Sequence, residues 1–396
     1  MIKHLLKLVW NRKRANALIV AEMFVSFLVL FAVITGAITL LAGWTKPVGF
    51  QYDNVWDVRM DFDVDANQKA TPEVLDTVQR MVKETRAMPQ VASAAISNTP
   101  AYSFSQAEGT RDHNGRPVTF TFDDVDDSFA EVMQMKILRG RWFSAEDDAS
   151  QYPPIVLDSN AALEIYGTLD AVGKLWEEDE QTNFKVVGVV EEYRKDGEAT
   201  MPMNMMFRRI DPAGKYGRLG NNLLIRLHPG TPAQFEEQLI ARLQEIAPNM
   251  TFRVRHMDQM RSALLRTRLS PIFIGAIIGI FLIAMVTLGL TGVLWQNVTK
   301  RTREIGLRRA MGASGPGVRS QILVEVALLA TIALVIGSVI VLQLPILGIF
   351  TLVTPTAYIG GFVTALAAIY ALTVACGLYP SWLASRLEPA EALRYE

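Results

Sequence analysis

Residues 269–299 read LSPIFIGAIIGIFLIAMVTLGLTGVLWQNVT, and residues 300–314 continue directly as KRTREIGLRRAMGAS. The first stretch contains no charged side chain and is longer than the roughly 20 apolar residues that one helical crossing of a bilayer requires. The second stretch is rich in lysine and arginine, which are retained on the cytoplasmic side of a membrane. Together they predict a membrane span followed by a cytoplasmic segment.

Further apolar stretches predict three more spans. Residues 17–43 contain only Glu22 as a charged side chain, and residues 326–385 contain none. The latter stretch is too long for one helix, and Pro355, with Pro345 upstream, favours a turn within it. The former is about twice the length of the apolar region of a signal peptide, which favours a retained anchor. We therefore predict spans at residues 17–43, 270–296, 322–350 and 357–382.

The composition agrees with a membrane protein. Half of the residues (50%) are hydrophobic, the mean hydropathy is +0.20 and the formal net charge is −1. These values are too apolar for an ordinary soluble chain of this length, and no nucleic-acid partner is expected. The only cysteine is Cys376, in the predicted fourth span, so no disulfide forms within the chain.

The distribution of basic residues predicts the orientation. The segments placed in the cytoplasm are residues 1–16, 297–320 and 383–396, while residues 44–269 are placed outside. The basic residues that decide this are Lys3, Lys7, Arg12, Lys13 and Arg14 before the first span, and Lys300, Arg301, Arg303, Arg308, Arg309 and Arg319 after the second. The spans therefore have a one-plus-three arrangement around a large external domain.

The external domain alternates strand and helix patterns. Residues 52–64, 71–89 and 91–97 predict a strand, a helix and a strand, and residues 221–229, 231–248 and 250–257 repeat that order. Both helices are predicted to begin with Thr-Pro, at Thr71 and Thr231, because threonine caps helices and proline suits their first turn. We predict an α-helical membrane protein with four transmembrane helices and a large extracytoplasmic α+β domain, built from split β-α-β units with a strand-rich insert at about residues 101–217.

The basic segment fits a short amphipathic helix. In that helix Glu304 and Arg308 form a favourable pair one turn apart, Ile305 and Met311 lie near one face, and Gly312 ends the helix. A cationic helix of this kind also suits anionic lipid headgroups, and topology alone accounts for the charges. The residues by themselves leave these alternatives open.

The order of the residues in this segment resembles a known family. TREIGLRRAMGAS, at residues 302–314, resembles the cytoplasmic motif of FtsX-type permeases of ABC transporters, a family that includes the macrolide exporter MacB and the lipoprotein-releasing Lol permeases. The tail GLYPSWLASRLEPAEALRYE, at residues 377–396, is similar to that of the same family. KILRGRWFSAEDD, PPIVLDSNAALEIYG, AVGK and FKVVGVVEE, at residues 136–148, 153–167, 171–174 and 184–192, resemble the extracytoplasmic domain of MacB-type members.

The resemblance implies a bacterial inner-membrane permease that transmits the motion of an ABC ATPase to its periplasmic domain. It implies that a second permease copy, identical or a paralogue, completes the transporter, and that a periplasmic adaptor and an outer-membrane channel are further candidate partners. Any cofactor, as ATP with magnesium, would be held by the ATPase and not by this chain. The residues that would form the ATPase-coupling surface are Arg303, Glu304, Gly306, Arg308, Arg309 and Gly312.

Catalytic and metal-binding patterns are weak. The stretch GTLDAVGKL, at residues 167–175, approaches a P-loop but has one residue too many between its glycines and a leucine where serine or threonine belongs. We therefore expect the ATPase to be a separate chain and this chain not to be an enzyme. The acidic runs at residues 123–127, 146–148 and 176–180 favour solvated loops over calcium sites. The methionines at residues 201–206 favour packing over a soft binding surface. The histidines are scattered: His4, His113, His228 and His256.

Two other classes of protein remain as alternatives. A membrane-anchored receptor or sensor has the same topology but no ATPase partner. An intramembrane enzyme needs paired reactive side chains within its spans, where this sequence offers only Glu22 and Glu325 as charged groups, both near the cytoplasmic face.

Overall fold

The structure is a computed structural model that describes residues 13–61, 71–113, 116–177, 183–200, 203–210, 219–300, 307, 311, 314–348 and 353–385. The chain divides into two compact units. We call Gly43–Arg268 the sheet unit, and Met1–Ala42 together with Leu269–Glu396 the helical unit.

The described elements are named here in chain order. The helices are α1 (Lys13–Trp44), α2 (Pro72–Arg86), α3 (Phe129–Val132), α4 (Ser159–Tyr166), α5 (Phe235–Ile246), α6 (Met257–Lys300), α7 (Gly315–Gln343) and α8 (Pro355–Ser385). The strands are β1 (Val55–Asp61), β2 (Val91–Ser97), β3 (Glu108–His113), β4 (Arg116–Val125), β5 (Ile137–Gly140), β6 (Pro154–Asp158), β7 (Leu175–Glu177), β8 (Asn183–Val190), β9 (Met205–Arg209), β10 (Asn222–Leu227) and β11 (Thr251–His256).

Of the helices that the structure describes, four are long and apolar enough to cross a membrane, as predicted: α1, α6, α7 and α8. The predicted break between the last two is confirmed, since α7 ends at Gln343, before Pro345, and α8 begins at Pro355. Where the pattern placed a third span at 322–350, the helix runs earlier along the chain, from Gly315. Helix α6 also begins well before the apolar run at residues 270–296, at Met257.

The interior of the helical unit is apolar. Phe27 and Phe31 of α1 are buried there, and their rings meet α8 edge to face. The ring centroids lie 6.1 Å apart for Phe27 and Phe362, and 5.1 Å apart for Phe31 and Tyr358. Since lipid tails are as apolar as these side chains, close ring packing of this kind helps hold helices together in a membrane.

Within the described residues, the sheet unit contains one sheet of eleven strands, in the order β11-β1-β10-β2-β4-β9-β6-β8-β5, with β3 paired to β4 and β7 to β8. The two predicted β-α-β units are interleaved in it. Strand β10 of the second unit lies between β1 and β2 of the first, and β1 lies between β10 and β11. This is a split β-α-β arrangement, so the predicted fold class is confirmed.

Helices α2 and α5 pack together against this half of the sheet. Helix α2 buries Val78 and Met81, and α5 buries Leu239 and Leu243. Each fully buried side chain of this size contributes about 1.5–3 kcal/mol relative to exposure. Amphipathic spacing therefore predicts the position of both helices. Their first residues relate differently to the Thr-Pro sequences.

The two Thr-Pro sequences do not behave alike. Thr71 caps α2, since its side chain accepts a hydrogen bond from the Val74 amide at 3.4 Å. The same prediction at Thr231 is wrong, because α5 begins only at Phe235 and Gln234 occupies the cap position. The Thr231 hydroxyl instead donates to the His228 carbonyl at 2.8 Å, which closes a turn before the helix.

The strand-rich insert continues the same sheet. Strands β2 and β4 share the single aligned pair Ser97 and Val125. The buried Asp123 carboxylate strengthens this junction by accepting from the Ser97 hydroxyl at 2.8 Å and from the Thr99 amide at 2.8 Å. Side-chain hydrogen bonds therefore compensate for the short pairing between the two halves of the sheet.

Candidate functional site

The predicted coupling surface lies in the linker between α6 and α7. Its residues lie outside the described part of the chain, so their predicted role stays a prediction; they are Arg303, Glu304, Gly306, Arg308, Arg309 and Gly312. The predicted ion pair between Glu304 and Arg308 and the predicted end of the helix at Gly312 also lie outside the described residues.

Two residues of the linker are described. The Met311 amide donates to the Leu307 carbonyl at 3.0 Å, the spacing of a helical turn. Both side chains are exposed, Leu307 at 52% and Met311 at 74%. Side chains four residues apart share one face of a helix, so this turn presents two large apolar groups side by side.

The end of the linker is fixed by a helix cap. Ser314 precedes α7 in an extended conformation, and its hydroxyl accepts from the Gly317 amide at 3.3 Å. Pro316 lies in the first turn of the helix, where its missing amide costs nothing. The sequence GASGPG therefore marks where the linker ends and α7 begins.

The interpretation of the first acidic run as a solvated loop is wrong. Asp123 and Asp124 are buried in β4, and Asp124 accepts two hydrogen bonds from Arg208 of the neighbouring β9, at 2.8 and 3.0 Å. Asp127 likewise binds the buried Arg209, at 2.6 and 2.7 Å. Sequence reasoning missed this because the arginines that pair with these acids are more than eighty positions away.

The second acidic run is also structured. Asp147 is buried and accepts from Arg141 at 2.7 Å. Its other oxygen accepts from the Ser144 amide at 3.0 Å in a capping box. The carboxylate thus fixes a short helical turn, Ala145–Ala149, which explains the spacing of serine and aspartate in FSAEDD. In the third run only Trp176 and Glu177 are described, and Trp176 is buried.

Several carboxyl groups of the sheet unit have raised pKa values. Burial raises the pKa of Asp158 from its ordinary 3.8 to about 7, although the amides of Ala161 and Met205 donate to it. Burial raises the pKa of Asp123 to about 7 as well. It raises the pKa of Asp57 to about 6, against the opposing effect of Arg255. Each of these carboxyl groups stabilises the fold, and desolvation is the main cause of its raised pKa.

The P-loop-like stretch does not have the structure of a nucleotide site. Gly167 ends α4 in a left-handed conformation, and Gly173 leads into strand β7. A P-loop opens a helix whose amino terminus holds phosphate. Within the described residues, no three histidine, cysteine or acidic side chains are grouped as a metal site requires. His256 instead stacks on Trp56, with ring centroids 4.6 Å apart.

The methionines at the start of β9 belong to the core. Met205 and Met206 are almost fully buried, which confirms packing for these two. Met201 lies outside the described residues.

A cavity of about 430 Å³ lies beside α2 in the sheet unit. Half of its described lining residues are polar or charged, Arg86 and Asp126 among them; the aliphatic half consists of Leu75, Val78, Val82, Ile96, Ile210 and Leu219. The volume falls in the range of small-molecule sites. No local sequence pattern indicates this cavity, because its walls come from segments far apart in the chain.

Comparison with known proteins assigns both halves of the chain. The model of the MacB-like periplasmic core domain matches residues 24–242, more than half of the chain. The model of the FtsX-like permease C-terminal region matches residues 276–389.

The chain belongs to the FtsX/MacB-type permease family.

Relatives of this permease are named as export proteins. A probable export ATP-binding/permease protein of Pseudomonas fluorescens is 27% identical over 69% of this chain and 43% of its own length. The macrolide export protein MacB of Bordetella avium is 26% identical over 70% of this chain and 44% of its own. A probable syringafactin export protein, SyfD, of Pseudomonas syringae pv. tomato is 28% identical over 68% and 41%. The chain thus spans less than half the length of these relatives.

Two of the solved structures that align with this permease are extracytoplasmic regions of transporters. The periplasmic region of MacB from Actinobacillus actinomycetemcomitans aligns with 55% of this chain and 94% of its own, at 12% identity and a TM-score of 0.40. The extracellular domain of the transporter YknZ aligns with 51% and 100%, at 15% identity and a TM-score of 0.36.

Proposed function

We propose that this chain is the transmembrane permease part of an ABC transporter that works on a substrate outside the cytoplasm. ATP hydrolysis by an ABC ATPase domain outside residues 1–396 would move the helical unit, and the sheet unit would respond by exporting the substrate or extracting it from the periplasm or the outer leaflet. ATP and magnesium bind the ATPase; no cofactor is assigned to this chain.

The observation that carries the proposal is the joint match of both family models to a chain with four apolar helices. The basic linker at residues 301–314 supports it, because its charges suit a cytoplasmic docking surface for the ATPase. The exposed apolar pair of Leu307 and Met311 supports it further, since exposed apolar groups among charges are typical of a contact with another protein.

The proposed orientation has the amino terminus, the linker and the carboxyl terminus in the cytoplasm and the sheet unit in the periplasm. The proposed partners are the ATPase, a second permease copy, identical or a paralogue, and the surrounding lipid. A periplasmic adaptor and an outer-membrane channel would extend the path for an exported substrate. Export of macrolides and syringafactin is named for relatives, so we propose an amphipathic cargo. The cavity beside α2 suits such a cargo, because half of its described lining is aliphatic and half is polar.

The test is reconstitution of the full chain with its ATPase. We expect the wild-type chain to bind the ATPase and change its rate of hydrolysis, and Arg308→Glu with Arg309→Glu to lose docking or stimulation, because two reversed charges repel a complementary acidic surface. Pull-down and steady-state ATP hydrolysis are the measurements.

Arg319→Glu is the matched control, since it reverses a charge of the same cytoplasmic region close to the start of α7. Docking that survives the double substitution at 308 and 309 contradicts the assigned surface. If no ATPase associates with the wild-type chain, the receptor alternative replaces the permease proposal.

A further inference from the structure

The chain passes between its two units at two places. The first passage follows Ala42 and the second follows Arg268. Each lies inside a continuous helix, α1 for the first and α6 for the second. A displacement of these helices is therefore transmitted to the first and last residues of the sheet unit, near Gly43 and near Arg268.

One loop of the sheet unit binds both ends. It comprises residues 192–200, directly after β8, and we call it the clamp loop. Its buried Arg194, with a side chain only 1% exposed, donates to the Gly43 carbonyl at 2.6 Å. The same guanidinium donates to the carbonyls of Glu198, at 3.2 Å, and Thr200. A guanidinium thus joins the end of α1 to the backbone of the clamp loop, in the position where a cation also favours the helix dipole.

The approach at Gly43 leaves no room for a side chain. A Cβ atom there would lie 2.4 Å from the Glu198 carbonyl oxygen, closer than real Cβ contacts. Nearby, the Arg194 amide donates to the Val48 carbonyl at 2.9 Å. The clamp loop and the segment that follows α1 therefore contact each other through their backbones as well as through the Arg194 side chain.

Helix α6 is held by two ion pairs on the same loop. Arg261 donates to Glu198 through Nε at 3.0 Å and through a terminal nitrogen at 2.8 Å. Arg268 donates to Asp196 at 2.9 Å. The arginines are seven residues apart, so they lie on one face of the helix. The acceptors are largely buried, with side chains 13% exposed at Glu198 and 5% at Asp196, so water weakens these pairs less than it weakens surface pairs.

The clamp loop is also fastened to the body of the sheet unit. Lys195 is buried, and its ammonium donates to the carbonyls of Ser103 at 3.1 Å and Ser105 at 2.7 Å. The Tyr102 amide donates to the Lys195 carbonyl at 2.9 Å. The loop continues without interruption from β8, which lies between β6 and β5 in the sheet. It is therefore anchored on one side and bound to both passages on the other.

We propose that the clamp loop is the mechanical coupling element of this protein, with Arg194, Asp196 and Glu198 as positioning residues. It holds the ends of α1 and α6 to β8, so that a displacement of either helix moves the sheet as one body. The inference rests on the proposed function only in its source of motion, an ATPase acting on the helical unit. The clamp itself consists of contacts within the sheet unit.

The first experiment measures the clamp without any ATPase. Hydrogen exchange is followed by mass spectrometry in the full chain in lipid nanodiscs, for wild type and for Arg261→Gln with Arg268→Gln. We expect amides at residues 257–268 and 192–200 to exchange about tenfold faster in the variant, because two charge-assisted hydrogen-bonded pairs are lost. Lysine at both positions keeps the charge and should recover part of the protection. Arg266→Gln, an exposed arginine of the same helix segment, is the matched control. Equal exchange in wild type and the glutamine variant overturns the proposal.

The second experiment tests coupling with the ATPase bound. In wild type we expect ATP to change the exchange of β8, Asn183–Val190. In the glutamine variant we expect hydrolysis to continue at the wild-type rate while this ATP-dependent change in β8 is lost, which a purely structural role would not produce. A variant that keeps the response of β8 overturns the coupling role. If the wild-type chain neither binds an ATPase nor responds to ATP, the proposed function fails, and the exchange rates without ATPase still decide whether the clamp exists.

Discussion

At the scale of single residues, buried carboxyl groups determine how the sheet unit responds to pH. Asp57, Asp123 and Asp158 are almost fully buried, and their pKa values are raised to about 6, 7 and 7. An unfolded chain ionises such groups near their ordinary value of 3.8. Between these two values the folded protein holds more protons than the unfolded chain, so its stability falls as the pH rises.

Asp158→Asn tests this directly. The stability that Asp158 contributes through its raised pKa is complete below about pH 4 and is lost as the pH rises through 7, at up to about 1.4 kcal/mol per pH unit for one group. Asparagine keeps an oxygen for the amides of Ala161 and Met205 but does not ionise. We therefore expect the free energy of unfolding of the variant to fall less between pH 5 and pH 8 than that of wild type. Thermal unfolding of the full chain at both pH values measures it.

The control is Asp170→Asn, which removes an exposed carboxyl group of the same unit. It should leave the pH dependence unchanged. If Asp158→Asn and wild type lose stability equally between the two pH values, burial of Asp158 does not raise its pKa as described.

At the scale of elements, the narrowest point of the sheet lies between β2 and β4. One aligned pair joins the strands, and Asp123 supplies the acceptors for Ser97 and for the amides of Asn98 and Thr99. Two apolar cores are each confined to one half of the sheet, whereas a third contains Ala95 of β2, Val125 of β4 and Val190 of β8 and so spans this point. The junction is thus held more by hydrogen bonds of side chains than by a ladder of strand pairs.

Asp123→Ala should weaken this junction specifically. Removing the carboxylate leaves buried donors without an acceptor, which costs about 2–4 kcal/mol in total. We expect faster hydrogen exchange in β2 and β4, with β8 little changed. Asp123→Asn retains one acceptor oxygen and should cost less than alanine does. A uniform rise of exchange across all strands would show that the junction unfolds only with the whole unit.

The element scale also separates what the sequence could predict from what it could not. Periodicity located β1, β2, α2, α5, β10 and β11, because amphipathic spacing is a local property of the chain. The pattern predicts the start of α5 wrongly. Thr231-Pro232 lies in a turn before the helix, and the local sequence does not distinguish such a turn from a Thr-Pro helix cap. The acidic run at residues 123–127 resembles a loop in the sequence, because Arg208 and Arg209 pair with Asp124 and Asp127 only after the sheet has formed.

At the scale of the whole molecule, hydropathy and charge predict most of the architecture. The bilayer forces long apolar helices, so four spans follow from composition alone. The contacts of the clamp loop do not follow from the sequence, because the hydrogen bond between Arg194 and Gly43 joins positions 151 residues apart. No local pattern marks either partner, and only the fold brings them together.

The orientation predicted from the basic residues can be tested with single cysteines in a Cys376→Ser background. Glu108→Cys lies in the sheet unit and Met311→Cys in the linker, and both positions are exposed. We expect a membrane-impermeant maleimide applied to spheroplasts to label position 108 at once and position 311 only after lysis, because the bilayer separates them. Labelling of both positions in intact spheroplasts contradicts the predicted topology.

The interleaving of β10 between β1 and β2 has a consequence for biosynthesis. During synthesis β1, α2 and β2 emerge first, yet β1 lacks both of its sheet neighbours, and β2 has only its single aligned pair with β4, until residues 222–227 have been made. The nascent chain therefore has unpaired strand edges while the whole insert is synthesised, and unpaired edges promote aggregation. Completion of this half of the sheet is therefore a late event in synthesis, and the unpaired edges of β1 stay open to other chains until it occurs.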